Sequence, residues 1–187
     1  MSTVGVLALQ GDVREHLSTL ELLGVTATPV KKPAQLESLD ALVIPGGEST
    51  TIGKMAVRFG LLEPLREAIE GGLPTFGTCA GLILLAGAVT EGDQPLLGVL
   101  DVVVRRNAFG RQNESFESGL HIAGLEKPFH AVFIRAPWVE KVGSEVEVLA
   151  SVEDHPVMVR HGKILASSFH PELTRDGRVH QMLLDLI

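Results

Sequence analysis

Short apolar runs alternate with amphipathic segments through the first half of the chain. The run at residues 3–9 is rich in Val and Leu and predicts a strand buried on both faces, and further strands are predicted at residues 26–32, where the signal is weaker, 40–47 and 73–79. The segments between them carry apolar residues at helical spacing and predict helices at residues 12–24, 61–72 and 80–88. Strands that alternate with helices form a parallel sheet with right-handed crossovers, so the pattern predicts an α/β fold.

The second half of the chain has a different pattern. Five apolar or alternating runs separated by turns predict strands at residues 96–106, 129–137, 145–152, 156–162 and 163–172. Because little helical pattern separates these runs, we expect antiparallel hairpins attached to the edge of the parallel sheet. A final helix is expected at about residues 178–187. No linker or repeat interrupts the chain, and residues 1–187 are therefore interpreted as one domain.

Composition and charge exclude several classes of function. The net charge of −7 argues against a nucleic-acid-binding surface and against an acidic membrane surface. No apolar run approaches the length of a bilayer-spanning helix or of a signal-peptide core. The single cysteine cannot form an intramolecular disulfide, which is typical of a reducing compartment. We therefore expect a cytoplasmic protein.

The segment FGTCAGL contains the only cysteine of the chain, Cys79, between Gly77 and Gly81. It lies where a predicted strand meets a predicted helix, the edge at which α/β proteins bind ligands. A nucleophile on such a sharp turn needs flanking glycines, because side chains there would clash across the turn. Free N–H groups at the start of the helix favour a thiolate, and the Ala80 amide is a candidate oxyanion donor. A buried cysteine that only packs is the alternative.

A catalytic cysteine needs a base and a group that orients the base, and the segment SSFHPEL offers both. Pro171 favours an extended conformation at His170, and residues two apart in an extended chain face the same side. Glu172 can therefore hold the His170 ring, unless the two side chains are simply solvated in a turn. The remaining histidines show no partner pattern and are interpreted as surface, strand or packed residues: His16, His121, His130, His155, His161 and His180.

Two further segments are candidates for substrate binding. PGGESTTIGKM is not a phosphate-binding loop, because Glu48 stands where that pattern requires glycine. The amides of Gly46 and Gly47 are candidates to complete an oxyanion hole, and Glu48 suits a substrate ammonium group. Arg106 and Arg135 are candidates to bind a carboxylate, with plain surface charge as the alternative.

Taken together, six segments resemble the class I (triad) glutamine amidotransferases over essentially the whole chain. The segments are GVLALQGDVREH, PGGEST, FGTCAGL, NAFGRQ, FIRAP and SFHPEL. Within that family they are most similar to the glutaminase subunits of pyridoxal 5′-phosphate synthases. The resemblance implies a three-layer, flavodoxin-like fold with a mostly parallel sheet, and antiparallel strands added in the C-terminal half. It also implies hydrolysis of glutamine to glutamate and ammonia without a metal or cofactor.

The resemblance assigns roles to residues of this chain. It implies a catalytic triad of Cys79, His170 and Glu172, with Gly47 and Ala80 at the oxyanion. It implies that glutamine contacts Gly46, Gly47, Glu48, Ser49, Arg106, Ile134 and Arg135. The implied protein partner is a barrel-shaped, ring-forming synthase that receives the ammonia. In this family the glutaminase is nearly silent until the synthase binds, and we expect the Gly46–Gly47 turn to reorient on binding.

Three other interpretations remain open from the sequence. A related thiol hydrolase, such as a γ-glutamyl hydrolase or an amidotransferase of another pathway, would share the turn and the triad. A flavodoxin-like redox sensor or chaperone would use Cys79 but would not need His170 and Glu172. A catalytically dead regulatory protein would have no reason to keep an intact triad.

Overall fold

The computed structural model describes residues 2–109 and 115–187. The first half contains β1 (Thr3–Leu7), α1 (Val13–Leu22), β2 (Thr26–Val30), β3 (Ala41–Ile44), α2 (Ser49–Arg58), α3 (Leu62–Glu70), β4 (Thr75–Thr78), α4 (Ala80–Leu85) and β5 (Ala86–Val89). The second half contains β6 (Leu100–Arg105), β7 (Ser115–Leu120), β8 (Phe129–Ile134), β9 (Trp138–Val142), β10 (Glu147–Val152), β11 (His155–His161), β12 (Ile164–Ser167) and α5 (Arg178–Leu184). Two 3-10 helices cover Pro33–Ser38 and Pro171–Leu173.

A seven-stranded sheet forms the centre of the fold, with the strand order β10-β11-β12-β4-β3-β1-β2. The strands β12, β4, β3, β1 and β2 run parallel to one another, whereas β11 pairs antiparallel with both β10 and β12. All residues of β3, β4 and β12 are buried, as expected for strands covered on both faces. The prediction of a mostly parallel α/β sheet is therefore confirmed.

Helices cover both faces of this sheet and give it three layers. Alternate residues of a strand point to opposite faces, and β3 shows the division clearly. Leu42 and Ile44 join the apolar cluster formed with α2, α3 and α4, while Val43 joins the cluster formed with α1 and α5. The three-layer arrangement implied by the family resemblance is confirmed.

The added strands of the second half are only partly where the sequence pattern placed them. The runs at 145–152 and 156–162 form β10 and β11 at the sheet edge, and the run at 163–172 supplies β12, which pairs parallel to β4. The runs at 96–106 and 129–137 do not join this sheet. They form β6 and β8, which belong to two small separate sheets, β5-β6-β9 and β7-β8. Hydrophobic periodicity predicts a strand but not its pairing partner, so this part of the prediction was wrong.

Two helix predictions also differ from the structure. The helix predicted over residues 80–88 ends at Leu85, and the chain turns extended at Ala86 to begin β5. Gly87 lies inside the predicted span, and glycine weakens a helix interior. The helix α2 was missed because its first turn reads as a glycine-rich loop. The signal was present: Glu48 is its N-cap and accepts hydrogen bonds from the backbone N–H groups of Thr50 and Thr51.

None of the helices in the described ranges combines the length and the apolar character that crossing a bilayer requires.

We predict that Gly81→Ala lowers the free energy of unfolding by at least about 2 kcal/mol. An alanine Cβ at position 81 would overlap the backbone carbonyl oxygen of Ile44, so α4 would have to move away from β3. Gly119→Ala is the matched control, because its Cβ would lie 4.0 Å from Pro128 Cβ. Urea denaturation of the three proteins measures the effect. Equal stability of both variants would contradict the close packing of α4 on the sheet.

Candidate active site

Cys79 lies at a sharp turn between β4 and α4. Its backbone has φ 49° and ψ −100°, in a region that residues with a side chain rarely occupy. The turn is anchored to the sheet, because the Cys79 N–H donates to the carbonyl oxygen of Ser167 on β12 at 2.7 Å. A Cβ at Gly77 would lie 2.7 Å from the carbonyl carbon of Gly81. The two glycines therefore permit the approach of strand to helix that this turn requires, as the sequence indicated.

His170 follows β12 and is held in place by its backbone and by its ring. Its N–H donates to the carbonyl oxygen of Val132 on β8 at 2.8 Å, which joins the small β7-β8 sheet to the site. Its ring atom Nδ1 lies 2.7 Å from Glu172 Oε1, and both side chains are buried. Pro171 and Glu172 begin a 3-10 helix rather than continuing an extended chain. The contact between His170 and Glu172 forms through this turn.

The charge on the His170 ring is strongly influenced by its neighbours. Burial lowers the pKa of His170, but hydrogen bonds with Asp12, Cys79 and Glu172 outweigh burial and raise it to about 12. Asp12 Oδ2 is 3.4 Å from His170 Nδ1. Burial raises the pKa of Glu172, while its contact with His170 opposes that change. The two carboxylates at His170 Nδ1 therefore favour a positively charged imidazolium ring.

A cleft of about 380 Å³ opens in front of Cys79 and His170. Most of the residues predicted for the site line it, namely Gly47, Glu48, Ser49, Cys79, Ala80, Arg106, Ile134, Arg135 and His170. Gly46 lies behind the cleft, where a Cβ would come within 2.5 Å of His170 Cε1. Glu172 lies deeper, on the far side of the His170 ring. The cleft is also lined by residues that the sequence analysis did not single out: Asp12, Ile83, Asn107 and Leu173.

The loop after β1 supports the Gly46–Gly47 turn. The N–H of Asp12 donates to the Gly46 carbonyl oxygen at 3.0 Å, and the N–H of Glu48 donates to Gln10 Oε1 at 2.7 Å. A Cβ at Gly11 would overlap the Gly46 carbonyl oxygen, so only glycine fits there. The sequence analysis assigned no role to this loop. Its signal was the run Gln10-Gly11-Asp12 at the carboxyl end of the first strand.

Glu48 and Arg106 form an adjacent pair of opposite charges at one end of the cleft. Glu48 accepts from the Thr51 hydroxyl and from the first N–H groups of α2, and these hydrogen bonds lower its pKa. Arg106 Nη2 lies 3.4 Å from Glu48 Oε1, and Arg106 Nη1 donates to Thr50 Oγ1 at 3.5 Å. Such a pair matches the ammonium and carboxylate groups of an amino acid.

A buried histidine pair lies behind Glu172. His16 on α1 and His180 on α5 are fully buried, and His16 Nδ1 is 2.9 Å from His180 Nε2. His16 Nε2 lies 3.1 Å from Thr78 Oγ1 and 3.5 Å from Glu172 Oε2. The interpretation of His180 as a surface or strand residue was wrong, and His16 is a packed residue. No local pattern reveals this contact, because the two histidines are 164 positions apart.

Three potential metal-ligand atoms of Asp12, His170 and Glu172 lie within 4.8 Å of one another. His170 Nδ1 already shares a hydrogen bond with Glu172 at 2.7 Å. That ring nitrogen therefore carries a proton for the carboxylate, which leaves it without the lone pair that a metal ion needs.

Comparison with known proteins identifies the family of this chain. The model of the SNO glutamine amidotransferase family matches residues 6–187. The chain belongs to this family. A pyridoxal 5′-phosphate synthase subunit PdxT from Parafrankia sp. is 62% identical over 98% of this chain and 92% of the relative. A PdxT from Frankia alni is 59% identical over 98% of this chain and 94% of the relative.

Solved structures give the same result for the fold. A crystal structure of a glutamine amidotransferase superposes with a TM-score of 0.94 at 57% identity, covering 98% of this chain and 97% of the other. A putative GMP synthase protein from Thermoplasma acidophilum superposes with a TM-score of 0.71 at 18% identity, covering 100% and 94%. The second likeness shows the fold alone. The family resemblance drawn from the six sequence segments is confirmed, although residues 110–112 of the NAFGRQ segment lie outside the described residues.

We predict that replacing His180 makes the stability of the protein less sensitive to acid. Burial lowers the pKa of His180 to about 4. As the pH falls below about 6.5, the unfolded chain binds a proton at this residue and the folded protein does not, so the free energy of unfolding decreases. Between pH 6.5 and pH 5 the loss is about 2 kcal/mol.

Chemical denaturation at the two pH values, for the natural protein and for His180→Gln, measures this difference. The His170 and Glu172 contributions are common to both proteins and cancel in the comparison. His130→Gln, at an exposed position on β8, is the control. A His180→Gln protein that loses as much stability as the natural one would contradict the prediction.

Proposed function

We propose that this protein hydrolyses the side-chain amide of L-glutamine through a Cys79, His170 and Glu172 triad, and that it supplies the ammonia for pyridoxal 5′-phosphate (vitamin B6) synthesis. The observation that carries the proposal is the buried His170–Glu172 contact of 2.7 Å beside the cysteine turn, in a member of a glutamine amidotransferase family. The chemistry needs no metal or organic cofactor.

The reaction begins with the Cys79 thiolate, which attacks the amide carbon of glutamine. The N–H groups of Ala80 and Gly47 donate to the oxyanion that forms, which stabilises the tetrahedral intermediate. The His170 imidazolium then protonates the departing nitrogen, ammonia leaves, and a thioester remains on Cys79. Neutral His170 next takes a proton from water, and the hydroxide attacks the thioester carbon. Glutamate departs, and the thiolate–imidazolium pair is restored.

Glu172 and Asp12 act on His170 rather than on the substrate. Glu172 binds the Nδ1 side of the ring and so leaves Nε2 for the sulfur and the leaving group. The negative charge of Glu172 stabilises the imidazolium before each protonation step. Asp12 adds a second, more exposed carboxylate on the same side of the ring.

The amino acid end of glutamine binds at the Glu48 and Arg106 end of the cleft. Arg106 binds the α-carboxylate, and the negative charge of Glu48 attracts the ammonium group when Arg106 turns from Glu48 to the substrate. Ser49, Ile134 and Arg135 line the remaining wall of the cleft and shape it around the aliphatic part of the substrate. Gly46 packs under His170 and completes the site.

A partner that receives the ammonia is a chemical requirement of the proposal. Ammonia released into water at neutral pH becomes ammonium and is no longer a nucleophile, so it must pass directly to the next active site. The relatives are subunits of pyridoxal 5′-phosphate synthase, and we infer that the partner is a barrel-shaped, ring-forming synthase. Residues 1–187 act as one glutamine amidotransferase domain, and its free thiol suits a reducing cytoplasm.

The Gly46–Gly47 turn is the element we expect to respond to the partner. Gly47 has φ 153°, and a Cβ there would lie 2.5 Å from Gln10 Oε1. Neither glycine has a side chain that opposes rotation of the peptide between them. Docking of the synthase would rotate this peptide and direct an N–H group at the oxyanion.

The first prediction from this proposal concerns glutamate release from glutamine. We expect rapid release only when the synthase is present, and loss of at least about 1000-fold in Cys79→Ala and in His170→Asn. His130→Asn, which alters an exposed histidine, should retain full activity. Equal rates for the isolated chain and the complex would contradict partner gating. Glutamate release that survives in His170→Asn would contradict the acid–base role of His170, whereas no release with or without the synthase would favour a redox or binding role for Cys79.

A second prediction concerns substrate binding. Arg106→Gln should raise the KM for glutamine about tenfold or more and change kcat less, because the lost contact holds the substrate in the ground state and the transition state alike. Arg105→Gln is the matched control, since the neighbouring arginine pairs with Glu140 at 3.0 Å and does not line the cleft. Steady-state kinetics of the complex would show the difference. An unchanged KM in Arg106→Gln would place the carboxylate of glutamine elsewhere.

A further inference from the structure

The two oxygens of the Glu172 carboxylate have different surroundings. Oε1 binds His170 Nδ1 at 2.7 Å. Oε2 is buried and, within the described part of the chain, has no hydrogen bond of good geometry. It faces His16 Nε2 at 3.5 Å. A buried carboxylate oxygen without a donor costs free energy, and His16 Nε2 is the polar atom that faces this oxygen.

Behind the contact between Glu172 Oε2 and His16 Nε2, a chain of buried polar groups connects α1, β4 and α5. His16 Nε2 lies 3.1 Å from Thr78 Oγ1 on β4, the residue before the nucleophile. His16 Nδ1 lies 2.9 Å from His180 Nε2, and the edge of Phe76 packs against the His180 ring. His180 Nδ1 has no hydrogen-bond partner among the described residues. The catalytic mechanism uses neither histidine.

The contacts allow only one economical arrangement of protons. His16 Nε2 faces both Glu172 Oε2 and Thr78 Oγ1. A carboxylate only accepts, and the Thr78 hydroxyl can accept as well as donate, so a proton on His16 Nε2 suits both neighbours. His16 Nδ1 is then an acceptor, and His180 Nε2 must donate to it. His180 Nδ1 is left as an unpaired acceptor, whereas the opposite arrangement would bury an unpaired N–H group there. That opposite arrangement would also direct the lone pair of His16 Nε2 toward the Glu172 carboxylate.

We propose that His16 is a positioning residue of the triad, whose Nε2–H group, shared with Thr78 Oγ1 at 3.1 Å, faces the outer oxygen of Glu172 at 3.5 Å, and that His180 fixes the tautomer in which it does so. The proposal rests on the proposed function of the triad. A neutral donor holds the carboxylate in place and keeps it ionised without placing a second positive charge beside His170. A protonated His16 would compete with His170 for the same carboxylate.

The other charged groups around Glu172 do not replace this donor. The titratable groups that face it are His170, and beyond that ring Asp12 and Cys79, with His16 from α1 and His180 from α5. Burial is the largest influence on His16, and it lowers the pKa of that histidine well below its ordinary value. The pKa of His180 is lowered in the same way to about 4. Both rings are therefore neutral at the pH of catalysis, as the proposed chain requires.

The first test reads the tautomers directly. Nitrogen NMR of the natural protein, labelled at histidine, should show both His16 and His180 neutral with the proton on Nε2 near pH 7. His16→Gln and His180→Gln variants assign the two sets of signals. A proton on His16 Nδ1, or a charged His16, would overturn the proposal whether or not the protein is a glutaminase.

The second test is kinetic and uses the complex with the synthase. His16→Phe should lower kcat for glutamate release about tenfold with KM changed less than about twofold, as expected for the loss of a hydrogen bond to a charged group. The acid limb of the kcat/KM profile should move up by roughly one pH unit, because Glu172 then ionises less readily. His16→Gln keeps an N–H donor close to the position of Nε2 and should restore most of both losses.

The outcomes separate this inference from the proposed function. No glutamate release by the natural complex would reject the glutaminase proposal, and the NMR result would still decide the arrangement of the histidines. An active natural complex with an unchanged pH profile in a folded His16→Phe would reject the positioning role alone. If His16→Phe does not fold, the pH profile of His16→Gln decides. His16→Gln keeps the N–H donor, so an acid limb that moves up by roughly one pH unit in this variant would overturn the positioning role. His130→Phe, at an exposed position, is the control for general effects.

Discussion

A carboxylate inside a protein is costly unless it is paired, and the site is organised around one such group. Glu172 is 5% exposed and lies against a histidine that is equally buried. Removing either partner would leave the other with an uncompensated polar group in the interior. The 3-10 turn that begins at Pro171 and the backbone hydrogen bond from His170 to β8 hold this pair in place, and two buried histidines pack behind Glu172.

The pair is useful only because the topology of the sheet brings four chain segments to one edge. The carboxyl ends of β1, β3, β4 and β12 lie side by side in the central sheet, and each is followed by a segment of the site. These segments are the loop at Gln10, the turn at Gly47, the cysteine turn and the His170 turn. Glycine occurs wherever two of them must approach most closely, as at Gly11 against Gly46 and Gly81 against Ile44. Small residues at these points are thus a requirement of geometry.

The strained backbone at Cys79 has a similar origin. A non-glycine residue with φ 49° persists only where the surroundings hold it, and the hydrogen bond to Ser167 and the packing of α4 on β3 do so. The same packing presents the sulfur at the surface of the cleft while the rest of the turn stays buried. The surrounding structure therefore offsets the local strain that places Cys79 at the cleft.

Sequence alone determined the features that depend on local pattern. The period of the apolar residues identified the parallel strands β1, β3 and β4, and the glycine spacing around Cys79 identified the sharp turn. The i, i+2 spacing of His170 and Glu172 identified a contact that a short turn can make by itself.

Only the tertiary structure decided which distant segments meet. It separated β6 and β8 from the main sheet, and it placed Asp12, His16 and His180 around the His170–Glu172 pair. Contacts between residues far apart in the chain arise from the packing of whole layers, and nothing in the spacing of residues along one segment records them.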